Sequence, residues 1–171
     1  MDNANYGINK EYGHPRAIEL LPDEFFWNNF NQLTPFGSDQ GDEALAEFRA
    51  WRKINSKSSL LNRLEIIINE IGEMDILDYN QSLLDEKLIK KQLKDEDFDF
   101  EQCIDELDIS IIATGFGQFA DEGTIDPKAK SIVKIALDRQ CKMTYHGFYQ
   151  DIDAQEYRRY LTRLLETLPK A

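Results

Sequence analysis

SSLLNRLEIIINEIG, residues 58–72, is the stretch that decides the fold class. Leu60, Leu61, Leu64, Ile67, Ile68 and Ile71 recur at helical spacing and form one apolar stripe, the mark of a helix that buries a single face. Ser58 and Ser59 stand just ahead of the stripe, where a hydroxyl can accept an orphan backbone amide, and Gly72 stands where a left-handed cap is expected. Nothing in the segment alternates with the period of two that a half-buried strand needs.

Working outward, the same signals recur. Asp126-Pro127 reads as a cap followed by a proline at the first helical position, with Ala129, Ile132, Val133 and Ala136 supplying an apolar face. Asp153 with Glu156 reads as a capping box ahead of Tyr157, Tyr160, Leu161, Leu164, Leu165 and Leu168, and Pro169 as the stop. Weaker periodicity predicts helices over 42–54, 82–94 and 99–113, and a short one beginning near Pro22. Ile109-Ser110-Ile111-Ile112 has strand propensity, yet Ile104, Leu107, Ile111, Phe116 and Phe119 sit near helical spacing, and we read helix. With no run of alternating strands and no Asn-Gly or Asp-Gly hairpin, the expected architecture is mainly α. It is an irregular bundle of about six to seven helices, a single domain over 14–171 behind a flexible leader over 1–13.

Composition narrows the function classes. Apolar residues make up 42% of the 171 and charged residues 30%, which is the balance of a folded chain. Lys plus Arg number 20 against 32 Asp plus Glu, a formal charge of −12 that repels phosphate backbones and attracts basic surfaces. Direct nucleic-acid binding is therefore not expected; a protein partner is, and such a field suits a basic one, although high acidity also serves solubility alone. Cys103 and Cys141 form no CxxC pair and read as reduced packing residues. MDNANYGINKEYG lacks the basic start and apolar run of a signal peptide, and apolar runs such as Ile66-Ile67-Ile68 are far too short to span a bilayer. A cytoplasmic location away from the membrane is expected.

Residues 14–54 break with the rest of the chain, concentrating three prolines, two glycines, both tryptophans and five phenylalanines. That is more punctuation and aromatic mass than a connector needs. One reading is structural: Asp39 and Asp42 satisfy backbone amides, Asp42 caps the helix that carries Leu45, Phe48 and Trp51, and Gly37 and Gly41 permit turns. The other is a binding surface. Phe25, Phe26, Trp27, Phe36 and Trp51 would floor a depression rimmed by Asp39, Asp42, Glu43, Arg49 and Arg52, since so many charges cannot be buried unpaired. Phe30 belongs with the same aromatic surplus.

Two strings in this region, HPRAIELLPDEFFW (residues 14–27) and PFGSDQGDEALAEFRAW (residues 35–51), resemble the opening of the YfeS-like bacterial proteins, an uncharacterised group sometimes accompanied by a WGR module. The resemblance implies no established activity, substrate or catalytic residue, and a WGR module is not evident in this chain.

Other motifs are incomplete. Asp95, Asp97, Asp99 and Glu106 fall at positions 1, 3, 5 and 12 of a calcium-loop template, but Phe100 occupies the place of the turn-making glycine and Gln102 that of an apolar residue. Tight calcium binding is not expected. Gly115-Phe116-Gly117-Gln118-Phe119-Ala120 matches GxGxxA, yet Asp121-Glu122-Gly123 interrupts the helix that should follow and no βαβ pattern surrounds it. Close packing is the better use of those glycines. His14 and His146 have no partners at ligand spacing, and no nucleophile elbow or Walker loop is present. Tyr145-His146-Gly147-Phe148-Tyr149 reads as core packing. No catalytic residue, metal or cofactor is assigned. The expected function is an acidic interaction or regulatory protein without catalytic activity. The alternative is a small enzyme or ligand-binding protein using the carboxylates and aromatics of residues 25–52.

Overall fold

The computed structural model describes residues 7–94, 100–147 and 149–171, with only the backbone described for 100–103. Seven α-helices occupy them: α1 (Pro15–Leu20), α2 (Asp39–Ile54), α3 (Leu60–Gly72), α4 (Glu86–Lys94), α5 (Phe100–Glu122), α6 (Lys130–Met143) and α7 (Asp151–Thr167). Short 3-10 turns lie at Lys10–Tyr12 and Gln81–Leu84, and no strand occurs among the described residues. The bundle is mainly α, as the periodicity predicts.

Helix α5 is the axis. Residues 111–120 are buried without interruption, and α1, α2, α3, α4 and α6 all pack on this helix while α7 packs on α6. A helix covered on every side needs no polar face, so Ile109–Ala113 is helical despite its strand propensity. Close approach depends on missing side chains. A Cβ on Gly115 would stand 2.6 Å from Val133 Cγ2 of α6, and one on Gly117 would stand 2.9 Å from Leu45 Cδ1 of α2. The GxGxxA string is thus a helix-packing device inside α5, not a turn around a phosphate.

Several sequence expectations about helix ends need correction. Asp42 does not cap α2; Ser38 does, its hydroxyl accepting the Gly41 amide at 3.1 Å, while Asp39 and Asp42 lie in the first turn and favour the positive end of the helix dipole. The left-handed residue after α3 is Glu73 (φ 50°), not Gly72. Gly72 is the last residue of α3, and a Cβ there would come within 2.9 Å of Leu107 Cδ2 on α5. Asp126 does not cap α6. Its carboxylate reaches back to α3, accepting the Ser59 hydroxyl and the Leu60 amide at one oxygen and the Lys128 amide at the other. Helix α7 begins at Asp151, two residues before the expected capping box, and no short helix follows Pro22; the short helix lies earlier, at α1. Of the expected leader, Ile8 is buried in the core and Lys10 Nζ donates to the Pro22 carbonyl.

Asp95, Asp97 and Asp99 of the calcium-loop template lie outside the described residues, as does Phe148; Glu106 is exposed on α5. Tyr145 is not core packing: it is 68% exposed, with the Arg158 guanidinium 4.3 Å from its ring centre. Among the described residues, no helix is long and apolar enough to cross a membrane.

Candidate functional site

The aromatics expected to floor a surface depression mostly complete the core. Phe26 and Phe36 have no exposed surface, and Phe26 meets Phe36, Phe116 and Phe119 edge-on at centroid distances of 5.4, 5.9 and 6.3 Å. Trp27 is enclosed beside them, its indole N–H donating to the Leu21 carbonyl at 2.9 Å. Such T-shaped contacts suit the ring quadrupoles and anchor the irregular 21–36 segment onto α5. Phe25 is half-buried and stacks on Tyr160 of α7 at 4.3 Å. Phe30 alone of this group stands free, 87% exposed.

The charged residues do not form one rim either. Asp39, Asp42 and Glu43 are exposed at the start of α2, whereas Arg49 and Arg52 lie near its end, so Asp39 and Arg52 are separated by about 20 Å of helix rise. Arg49 grips Asp121 with two hydrogen bonds of 2.8 Å. Arg52 pairs with Glu122, donates to the Ser58 carbonyl and covers the half-buried Trp51 ring at 5.2 Å. Asp121 and Glu122 terminate α5, where the helix dipole disfavours carboxylates, and the two arginines compensate. This end of the 25–52 region therefore joins α2 to α5.

A polar network that sequence reasoning missed runs through the core. Arg139 of α6 and Asp108 of α5 pair at 2.8 and 2.6 Å with both side chains enclosed, and the Tyr79 hydroxyl and Gln140 amide also donate to Asp108. Tyr157 of α7 donates to Gln140 Oε1, and Tyr149 donates to Asp105 at 3.3 Å. Burial, followed by the charge of Asp108, pushes the Asp105 carboxyl up to about 7 despite hydrogen bonds from Tyr149 and Gln140. Tyr149 and Tyr157 also line a narrow apolar cleft between residues 32–35, α5 and α7. Its free volume of about 20 Å³ is the space of one water position. The only sequence signal for the network was Arg139, a cation in register with the apolar residues of α6.

Among the described residues, an exposed surface of one-sided charge lies elsewhere, on α3 and the chain that follows. Residues 64–86 contain Glu65, Glu70, Glu73, Asp75, Asp78, Asp85 and Glu86 and not one Lys or Arg. Glu65, Glu70, Glu73 and Asp78 are exposed and ion-pair with no described residue. The αL turn at Glu73 folds Met74–Ile76 back beside α3, and the Asp75 carboxylate holds that turn by accepting the Leu77 amide at 2.8 Å. Between the two runs lies an open groove of about 290 Å³, lined by Ile66, Met74 and Ile76 with Glu65, Glu70 and Asp75 at its sides. Leu77 projects next to it, 80% exposed. Among the described residues no three carboxylates, histidines or cysteines converge as a metal would require.

Comparison with family models, curated proteins and solved structures finds no match to this chain.

Proposed function

We propose that the protein is an acidic interaction or regulatory module that presents a surface to a basic protein partner and performs no catalysis. The observation that supports this reading most is the acid-only run over 64–86, in which the exposed carboxylates of Glu65, Glu70, Glu73 and Asp78, ion-paired with no described residue, accompany exposed Ile66 and Leu77. Unpaired carboxylates of one sign raise the encounter rate with a basic partner, and apolar side chains among them supply contact area once it has arrived. The alternative, a small enzyme or ligand-binding protein using residues 25–52, has less support because Phe26, Trp27 and Phe36 are enclosed and Arg49 and Arg52 are engaged with α5. Kinship with the YfeS-like proteins is a further proposal, supported by residues 14–27 and 35–51.

The test compares two triple variants of equal net charge. One reverses Glu65, Glu70 and Asp78 to Lys; the other reverses Glu24, Glu43 and Glu166, which are exposed elsewhere. Immobilised wild type should capture proteins of basic isoelectric point from lysate, the first variant should lose them and the second should retain them. Equal loss in both variants would reduce the effect to net charge and overturn the proposed surface.

A further inference from the structure

We propose that the groove between α3 and the 74–77 turn receives one face of a Lys/Arg-rich amphipathic helix from a partner protein, with an aliphatic side chain seated against Ile66, Met74 and Ile76. This rests on the reading of the protein as an interaction module and names what its acidic surface would hold.

Two features select that occupant. The apolar part of the lining is aliphatic: Ile66 is 36% exposed, and Met74 and Ile76 are partly buried against the core beneath, with Asn69 the one uncharged polar side chain beside them. The walls carry one sign only, with Glu65 and Glu70 on the α3 side and Asp75 on the other, and Glu73 and Asp78 in the flanking chain. Apolar anchors at helical spacing flanked by cations match an aliphatic floor between carboxylate walls, the helix-in-groove mode of recognition. A bare cation fits less well. The Asp75 carboxylate is already committed to the Leu77 amide, and no metal-holding group of acids forms among the described residues. A second copy of this chain could offer α4, which carries Lys87, Lys90, Lys91 and Lys94, but two chains of formal charge −12 repel each other before such contact.

The experiment titrates the full chain with two synthetic peptides of equal length and charge, one a Lys/Leu sequence patterned as an amphipathic helix and the other a Lys/Ser sequence. Affinity is read by calorimetry at physiological salt and the contact surface by amide chemical shifts. The Lys/Leu peptide should bind at least about tenfold more tightly, with shifts concentrated over 65–77. Ile66→Asn should remove about that tenfold advantage without changing Lys/Ser binding. If Ile66→Asn lowers the thermal midpoint, Leu77→Asn, at a position 80% exposed, serves as the second variant. Equal binding of the two peptides would overturn the groove while leaving an acidic interaction surface standing; binding of neither would overturn both. Concentration-dependent dimerisation with shifts on α4 as well as 65–77 would replace the partner helix by a second copy.

Discussion

Arg139 and Asp108 face each other inside the bundle, joined by two hydrogen bonds of 2.8 and 2.6 Å, with at most 1% of either residue exposed. Desolvation alone would lower the arginine's proton affinity, but the adjacent carboxylate more than offsets it, so Arg139 keeps its charge inside the bundle. Breaking the pair strands a charge in the core. Asp108→Asn or Arg139→Met should each cost about 3–5 kcal/mol, measured by urea unfolding. The double replacement Asp108→Leu with Arg139→Met should recover much of that loss, because no charge is then left unpaired. A double variant as unstable as the two single variants combined would show that Tyr79 and Gln140, left without their acceptor, dominate the cost.

Gly115 is a contact rather than a hinge. Because Val133 is β-branched and stiff at χ1, it cannot swing away from a Cβ placed 2.6 Å from its Cγ2. Gly115→Ala should therefore destabilise by about 1–3 kcal/mol, despite alanine's better helix propensity. Adding Val133→Ala should restore part of it. An isolated gain in stability for Gly115→Ala would mean that α5 and α6 can separate without penalty.

Repeating local signals made the bundle legible. The apolar stripes of α3, α6 and α7 recur at one helical period, so the positions of these helices could be read directly. Their caps could be read only in part: Ser59 caps α3 as expected, accepting the Leu61 amide at 3.2 Å, but satisfying a helix end is often a tertiary matter, and Asp126 looks like the start of α6 in sequence yet serves the start of α3 in space. Gly72 illustrates the same limit. Its missing side chain makes room for Leu107, and the left-handed residue is displaced onto Glu73. The aromatic surplus over 25–36 was visible as surplus, but whether Phe26 and Phe36 fill a core or floor a cleft depends on whether Phe116 and Phe119 of α5 come to meet Phe26, which only the folded chain shows. The Asp108 network was opaque because Asp108 stands in a run of acids with Asp105 and Glu106, and which of them meets Arg139 is decided only by folding.

Asp126 should act as a remote cap. Burial raises its carboxyl affinity for a proton, but the Ser59 hydroxyl and the Lys128 and Leu60 amides outweigh that and hold it below the ordinary carboxylate range. A depressed folded value means that the contribution is present at neutral pH and lost on acidification through that value. Asp126→Ala should cost about 1–2 kcal/mol at pH 7, and the gap to wild type should close in acid. A gap that stays constant across the titration would show that the side chain acts by packing.

Asp105 should act in the opposite direction. Its carboxyl sits at about 7 in the folded chain against 3.8 in the unfolded one, raised by burial and by Asp108. Between those values the folded state holds a proton that the unfolded chain has released, so the stability this group confers is complete below about pH 4 and declines as pH rises through 7. Asp105→Asn removes that linkage while keeping an acceptor for the Tyr149 hydroxyl. The variant should match wild type near pH 4 and exceed it at pH 8 by on the order of 2–4 kcal/mol, with the difference growing across the intervening window. Chemical denaturation at a series of pH values reads this directly. An Asn variant less stable than wild type at pH 8 would mean that the ionised carboxylate is welcome in its site, and the like charge of Asp108 would then have to be screened by the Tyr149 and Gln140 donors that face it.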